Sequence, residues 1–268
     1  MIKSLTYTAT KTYLECAYRF QLIYLEQRPA PVALSLFLGS TLHLALATFY
    51  QRGIEGNPMT CRECESFFTE ALRKQTVLQH MPSAQGVAWE DRDPRSLEAE
   101  TLPLLRLYLN WAEKTGLSPA CVEREVRRTV GGLPIYGRID LIDRSGIVID
   151  WKTTQAYAEQ AEAGNVLQPL FYAALLGRPI EFHFHYLHKL PALEIRWETR
   201  SVSRSAIQWL TQEFLPPVWE AMRCGVYPYA DPSSRTCSPS CCDHWGTCKG
   251  GALRSDAGAG KPPASDPV

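Results

Sequence analysis

The sequence predicts an α/β domain whose mixed central sheet is flanked by helices. Three observations predict it. Apolar residues recur at helical spacing through most of residues 1–118. Near residue 119 the period changes to that of strands, and Gly131-Gly132 and Ser145-Gly146 punctuate a three-strand meander. A helix, a strand pair and a last helix follow. A crossover helix after a meander implies a mixed sheet covered on both faces.

The elements are justified in order. Residues 1–28 read as a helix, with Thr8, Thr10 or Thr12 as N-cap and Tyr13, Ala17, Phe20 and Tyr24 on one face. Pro29 and Pro31 break it. Residues 36–51, 61–79 and 97–115 give three more helices, and residues 83–93 between them are polar and turn-rich. Residues 120–130, 133–143 and 147–153 form the meander, the last run apolar enough for a buried central strand. Residues 165–176 read as a helix that tolerates Pro169 in its first turn. Residues 180–189 and 193–202 form a strand pair, and 203–224 a final helix. The whole reads as one domain over 1–248. It comprises a mainly helical part (1–118), a core (119–224) and a turn-rich segment (225–248) with four cysteines. Residues 249–268 are rich in Gly, Ala, Pro and Ser and are expected to be disordered.

Composition narrows the function classes. The 268 residues carry 28 Lys+Arg and 28 Asp+Glu, which excludes a histone-like polycation but not a local basic groove. With 45% hydrophobic and 21% charged residues, the chain is neither fibrous nor disordered overall. No apolar run spans a bilayer, and residues 1–16 lack the layout of a secretory signal. A cytoplasmic protein without membrane association is expected. In that reducing compartment, nine cysteines point to metal ligation, catalysis or burial before disulfides.

The densest polar pattern lies in the meander. Asp140 stands in Gly137-Arg138-Ile139-Asp140, and Asp150 in Ile149-Asp150-Trp151-Lys152. Strand alternation puts Asp150 and Lys152 on one face and Ile147, Ile149 and Trp151 on the other. The Ser145-Gly146 turn brings Asp140 back beside Asp150. Two carboxylates and a lysine on an otherwise apolar strand suit a hard divalent cation acting on a phosphate, with Lys152 at the attacking water.

These segments resemble the core motif of the PD-(D/E)XK nuclease superfamily. Asp140 is the first acid and Asp150-Trp151-Lys152 the D-x-K end. Gly39-Ser40-Thr41-Leu42-His43 resembles the G-x-x-x-H motif of its RecB-like exonuclease branch, and Gln168-Pro169-Leu170-Phe171-Tyr172 its Q-x-x-x-Y motif. The resemblance implies a restriction-endonuclease-like fold and metal-dependent hydrolysis of DNA, exonucleolytic on single-stranded or end-containing DNA. It implies Mg²⁺ or Mn²⁺ on His43, Asp140 and Asp150, with Gln168 and Tyr172 lining the DNA path. A further acid on the preceding strand is Glu123 or Glu125, with Glu123 favoured. The alternative function is a non-hydrolytic DNA-binding or assembly subunit that keeps the fold.

The cysteines divide. Cys237, Cys242 and Cys248 sit on a turn-rich segment that suits iron or zinc, and Cys16 is the best fourth ligand. This set resembles the [4Fe–4S] staple of one RecB-like branch, which includes CRISPR-associated and helicase-linked exonucleases. That branch's C-S-P-x-x-C spacing selects Cys242, with Cys241 as the alternative. Cys61 and Cys64 read as structural, and Cys121 and Cys224 as buried apolar residues. Lys3, Lys11, Arg19, Arg28, Arg124, Arg127, Arg128 and Arg138 could follow a DNA strand. Overall neutrality favours delivery of DNA by a partner, such as a CRISPR-adaptation, helicase or recombination protein.

Overall fold

A computed structural model describes residues 2–81, 84–89, 91–154, 166–188, 193–239 and 241–250. Helix α1 (Tyr7–Glu15) is capped by Thr6, whose hydroxyl accepts the Ala9 N–H at 3.0 Å. The single helix expected over 1–28 is therefore shorter at its start. It also breaks at Cys16, whose backbone is extended, before α2 (Ala17–Phe20) and a π-turn (Gln21–Leu25).

Two short strands, β1 (Ala30–Ala33) and β2 (Ala84–Ala88), pair in parallel. Sequence reading takes these segments as a proline break and a turn region. Four or five residues carry too little periodicity to register as strands, and Pro31 is tolerated because a two-stranded sheet has only edges. Helices α3 (Leu34–Ile54), α4 (Cys61–Arg73) and α5 (Pro94–Thr115) follow. Thr60 and Glu63 form a reciprocal capping box on α4, and Asp93 caps α5.

The main sheet contains β3 (Pro119–Val130), β4 (Leu133–Asp143), β5 (Val148–Thr154), β6 (Ile180–His188) and β7 (Glu194–Val202), in that order. All neighbours are antiparallel except β5 and β6, which are joined through α6 (Leu167–Leu176) and run parallel. The expected mixed sheet is therefore present. The final helix is continuous from α7 (Arg204–Trp209) to α8 (Leu215–Arg223) through a π-turn at Leu210–Phe214. Pro216 and Pro217 cannot donate the α-helical hydrogen bonds to this turn, which accounts for its widening. The tail beyond Gly250 lies outside the described residues, as do Ser83, Asn165 and Lys189 at the expected element ends.

Strand alternation divides the core. On β5, Ile149 and Trp151 pack with α3, α4 and α5 through Leu46, Phe68 and Tyr108, whereas Val148 joins Phe171, Phe182 and Leu210 on the other side. Each fully buried large side chain contributes about 2–3 kcal/mol. Helix α6 seats tightly on β4 because Gly137 has no side chain. A Cβ there would stand 2.5 Å from Leu175 Cδ1. Gly137→Ala should cost about 1–3 kcal/mol and lower the melting temperature by several degrees; an unchanged thermal melt would contradict this close seating.

His185 on β6 is buried between the rings of Tyr108 and Trp111. Burial, with a smaller effect of His183, pushes its pKa down from 6.5 to about 3. The unfolded chain therefore takes up this proton first. Stability contributed by neutral His185 is complete above pH 6.5 and falls as the pH drops toward 3, by about 1.4 kcal/mol per pH unit. His185→Phe should flatten this acid limb in urea titrations run at several pH values.

Candidate active site

The site forms where two strands part. β4 and β5 are paired only at Leu141–Ile149 and Ile142–Val148, while β5 remains paired with β6 as far as Thr154. In place of a further ladder bond, the Trp151 N–H donates to Asp140 Oδ2 at 3.1 Å. The Trp151 carbonyl faces His43 Nε2 at 2.8 Å, and His43 Nδ1 lies 3.2 Å from the same Asp140 oxygen. His43 reaches this point from α3, which approaches β5 at Gly39; a Cβ there would lie 3.0 Å from Thr153 Oγ1.

Glu123 occupies the adjoining strand. The pairs Val122–Leu141 and Arg124–Ile139 place it opposite Asp140. Its φ of +47° is left-handed, a strained state for glutamate inside a strand. The strand changes face there. Val126 and Val130 pack in the α6-side core, but Val122, of the same parity, packs in the α3-side core. Glu123, His43 and Asp140 each offer a ligand atom within 4.8 Å of the others. Arg138 Nε holds Glu123 Oε2 at 2.7 Å. Glu125 is exposed, faces Arg127 and is not part of that group.

Asp150 is 2% exposed. Its Oδ1 accepts from Gln168 Nε2, and its buried Oδ2 accepts no hydrogen bond of ordinary geometry among the described residues but faces Lys152 Nζ at 2.6 Å. Gln168 and Tyr172, expected along the DNA path, are only 3% and 7% exposed. Both stand beneath the acids. Gln168 holds Asp150, and the Tyr172 hydroxyl donates to the Arg138 carbonyl at 2.9 Å. The i, i+4 spacing puts both on one face of α6, and the packing of the helix buries that face.

The electrostatics follow from crowding. Burial raises the Asp140 pKa, but His43 and Lys152 outweigh it and hold the carboxyl below its ordinary value. Burial and the charge of Asp140 outweigh Lys152 at Asp150 and raise its pKa. Burial and Asp140 also raise Glu123. Burial alone would lower His43, but Asp140 outweighs it and the ring titrates above its ordinary value.

A divalent cation fits this donor set. With its Nε2–H directed at the Trp151 carbonyl, neutral His43 turns the Nδ1 lone pair toward a carboxylate oxygen. Two acceptors then stand 3.2 Å apart, a contact that requires a proton or a cation between them. Two ligands at right angles, each about 2.1 Å from one octahedral ion, stand about 3 Å apart. Carboxylate oxygens suit a hard divalent cation.

The chain matches the PD-(D/E)XK nuclease superfamily over residues 4–249. It belongs to that superfamily. A protein described as a candidate exonuclease from Eubacterium rectale shares the fold of this PD-(D/E)XK chain, with a TM-score of 0.54 and 10% identity. That match covers 88% of this chain and 87% of the other. An alkaline exonuclease from Laribacter hongkongensis aligns with a TM-score of 0.32 and 11% identity, covering 59% of this chain and 85% of its own. No curated protein sequence matches the chain.

The cysteine-rich end meets the first helices. The Tyr18 N–H donates to the Pro228 carbonyl at 3.0 Å, and the Tyr18 and Tyr229 rings lie 4.3 Å apart. Cys16, Cys237, Cys242 and Cys248 line one pocket there, and Cys241 does not. Cys64 is buried and its thiol donates to the Ala45 carbonyl, as its structural reading anticipates. Cys121 is half-buried. Cys224 is not buried, contrary to expectation: it falls at the exposed C-terminus of α8, beside Glu220. Several basic residues expected along DNA are already paired with acids, namely Lys11, Arg19, Arg28, Arg127 and Arg138. Among the described residues, no helix is long and apolar enough to cross a membrane.

Proposed function

We propose that this PD-(D/E)XK protein is a metal-dependent deoxyribonuclease with exonuclease action on single-stranded or end-containing DNA. The observation that carries this reading is the convergence of Glu123, Asp140 and His43 at the parting of β4 and β5, with Asp150 and Lys152 paired beside them on β5. His43, Asp140 and Asp150, with Glu123, would hold Mg²⁺ or Mn²⁺. The bound ion would polarise the phosphate and lower the pKa of the attacking water. Lys152 would hold that water against Asp150 and stabilise the charge growing on phosphorus. Gln168 fixes the orientation of the Asp150 carboxylate. Tyr172 ties α6 to β4, so the two acids keep their spacing.

Cys16, Cys237, Cys242 and Cys248 would hold a [4Fe–4S] cluster that staples the chain end to α2. Four thiolates on one zinc ion stand about 3.8 Å apart. No three of these sulfurs lie within 4.8 Å of one another among the described residues.

The reading is tested with end-labelled linear DNA, single- and double-stranded, against closed circles of the same sequence. Cleavage of linear DNA with circles spared is expected, and rapid cutting of circles would overturn the exonuclease assignment. Anaerobically purified protein should absorb broadly near about 400 nm through thiolate–iron charge transfer. Stoichiometric zinc with no such band would overturn the cluster.

A further inference from the structure

Trp151 is the hub of the site, yet its side chain points away from it. The peptide on either side of this residue holds two proposed ligands, with the N–H on Asp140 at 3.1 Å and the carbonyl on His43 at 2.8 Å. On the β4 side no ladder pair fixes that peptide, because pairing ends at Ile149. Its orientation depends on β6 and on the indole.

The indole is anchored through one hydroxyl. Trp151 Nε1–H donates to Tyr108 Oη at 2.6 Å. Indole nitrogen can only donate, so the Tyr108 hydroxyl oxygen accepts from it, and the same hydroxyl is hydrogen-bonded to His185 Nδ1, 3.0 Å away. His185 is the register partner of Trp151 on β6. A single phenol from α5 thus bridges the side chains of two paired strands. Trp151 and Tyr108 are fully buried, and no solvent can replace the hydroxyl. Tyr50 stacks parallel to the indole, 6.1 Å between ring centres, and the His43 ring meets it edge-on at 5.6 Å. Rotation of the indole therefore disturbs His43 directly, and it turns the peptide that holds Asp140.

We propose that Tyr108 is a positioning residue for the metal site: its hydroxyl pins the Trp151 indole so that the Trp151 peptide holds Asp140 and His43 in ligating register. The inference rests on the metal-dependent reading above and names a residue outside the motif. Tyr108 touches no reacting atom. Partners that orient ligands commonly change metal affinity ten- to a hundredfold when removed, roughly.

The test uses the full chain with Mn²⁺ alone as probe. Tyr108→Phe removes only the hydroxyl. It should weaken Mn²⁺ binding in a calorimetric titration about tenfold, lower kcat at subsaturating Mn²⁺, restore kcat at high Mn²⁺ and leave KM for DNA unchanged. Met222→Ala, in the opposite core, controls for lost stability and should keep wild-type Mn²⁺ affinity despite a lower melting temperature. Trp151→Phe removes the other half of the same bond and carries the test if Tyr108→Phe fails to fold. The double variant should be no weaker than either single. Wild-type Mn²⁺ affinity in Tyr108→Phe, an equal loss in Met222→Ala, or additive losses in the double variant would overturn the proposal. Absence of Mn²⁺ binding by the wild-type chain would overturn the metal-dependent reading itself.

Discussion

Lys152→Ala should slow single-turnover DNA cleavage on the order of 10²–10³-fold, while the protein melts within a few degrees of the wild type. The side chain does two things that no neighbour duplicates. It faces the buried Asp150 Oδ2 at 2.6 Å, an oxygen with no hydrogen bond of ordinary geometry among the described residues. It also stands at the open end of the site, partly exposed, where a water and a phosphate would meet it. Without the ammonium, Asp150 keeps the burial and the nearby Asp140 charge that already raise its pKa, and it loses the cation that opposes them. The carboxyl is then driven further toward its neutral form, a poorer ligand. Asp150→Asn should be at least as slow. A Lys152→Ala rate within tenfold of the wild type would remove Lys152 from the chemistry.

Cys242→Ser should abolish the absorbance near about 400 nm and lower the melting temperature by about 10 °C, whereas Cys241→Ser should leave both unchanged. The contrast is sharp because the residues are adjacent. Only Cys242 lines the pocket shared by Cys16, Cys237 and Cys248. A structural metal centre contributes its binding energy to folding. This one would join α2 to a terminal segment that is also attached through the Arg19–Asp243 pair at 3.4 Å, the Tyr18 contacts and the Tyr13 hydroxyl, which donates to the Val226 carbonyl at 2.7 Å. The opposite outcome, loss in Cys241→Ser alone, would move the ligand one residue.

Much of the site was legible because strand alternation is a strict rule. The expected strand over 133–143 is β4 to the residue. Asp150 and Lys152 share a face with Ile149 and Trp151 on the other, as the period of two requires. His43 and Gln168 were reached through the family resemblance, since no local pattern links α3 or α6 to β5. Glu123 and Glu125 could not be separated, because alternation alone gives them the same face. The left-handed backbone of Glu123, with the change of face it brings, separates them, and glutamate has no propensity that announces it. The family resemblance alone places Gln168 and Tyr172 along DNA; their spacing gives a shared helix face but not what covers it. Tyr108 had no local cue at all: its hydroxyl matters through Trp151, 43 residues further along the chain.

The most direct measurement follows cleavage of end-labelled linear DNA by the purified chain, in Mn²⁺, in Mg²⁺ and in excess EDTA, beside Asp140→Asn. Asp140 meets His43, the Trp151 N–H and the Glu123 side of the site together. Its amide replacement keeps shape and removes charge. Cleavage by the wild type in at least one of the two metals is expected, with none in EDTA and none from Asp140→Asn. An inert wild type in both metals, or cleavage that survives EDTA or the Asp140→Asn change, would contradict a metal-dependent nuclease centred on these acids.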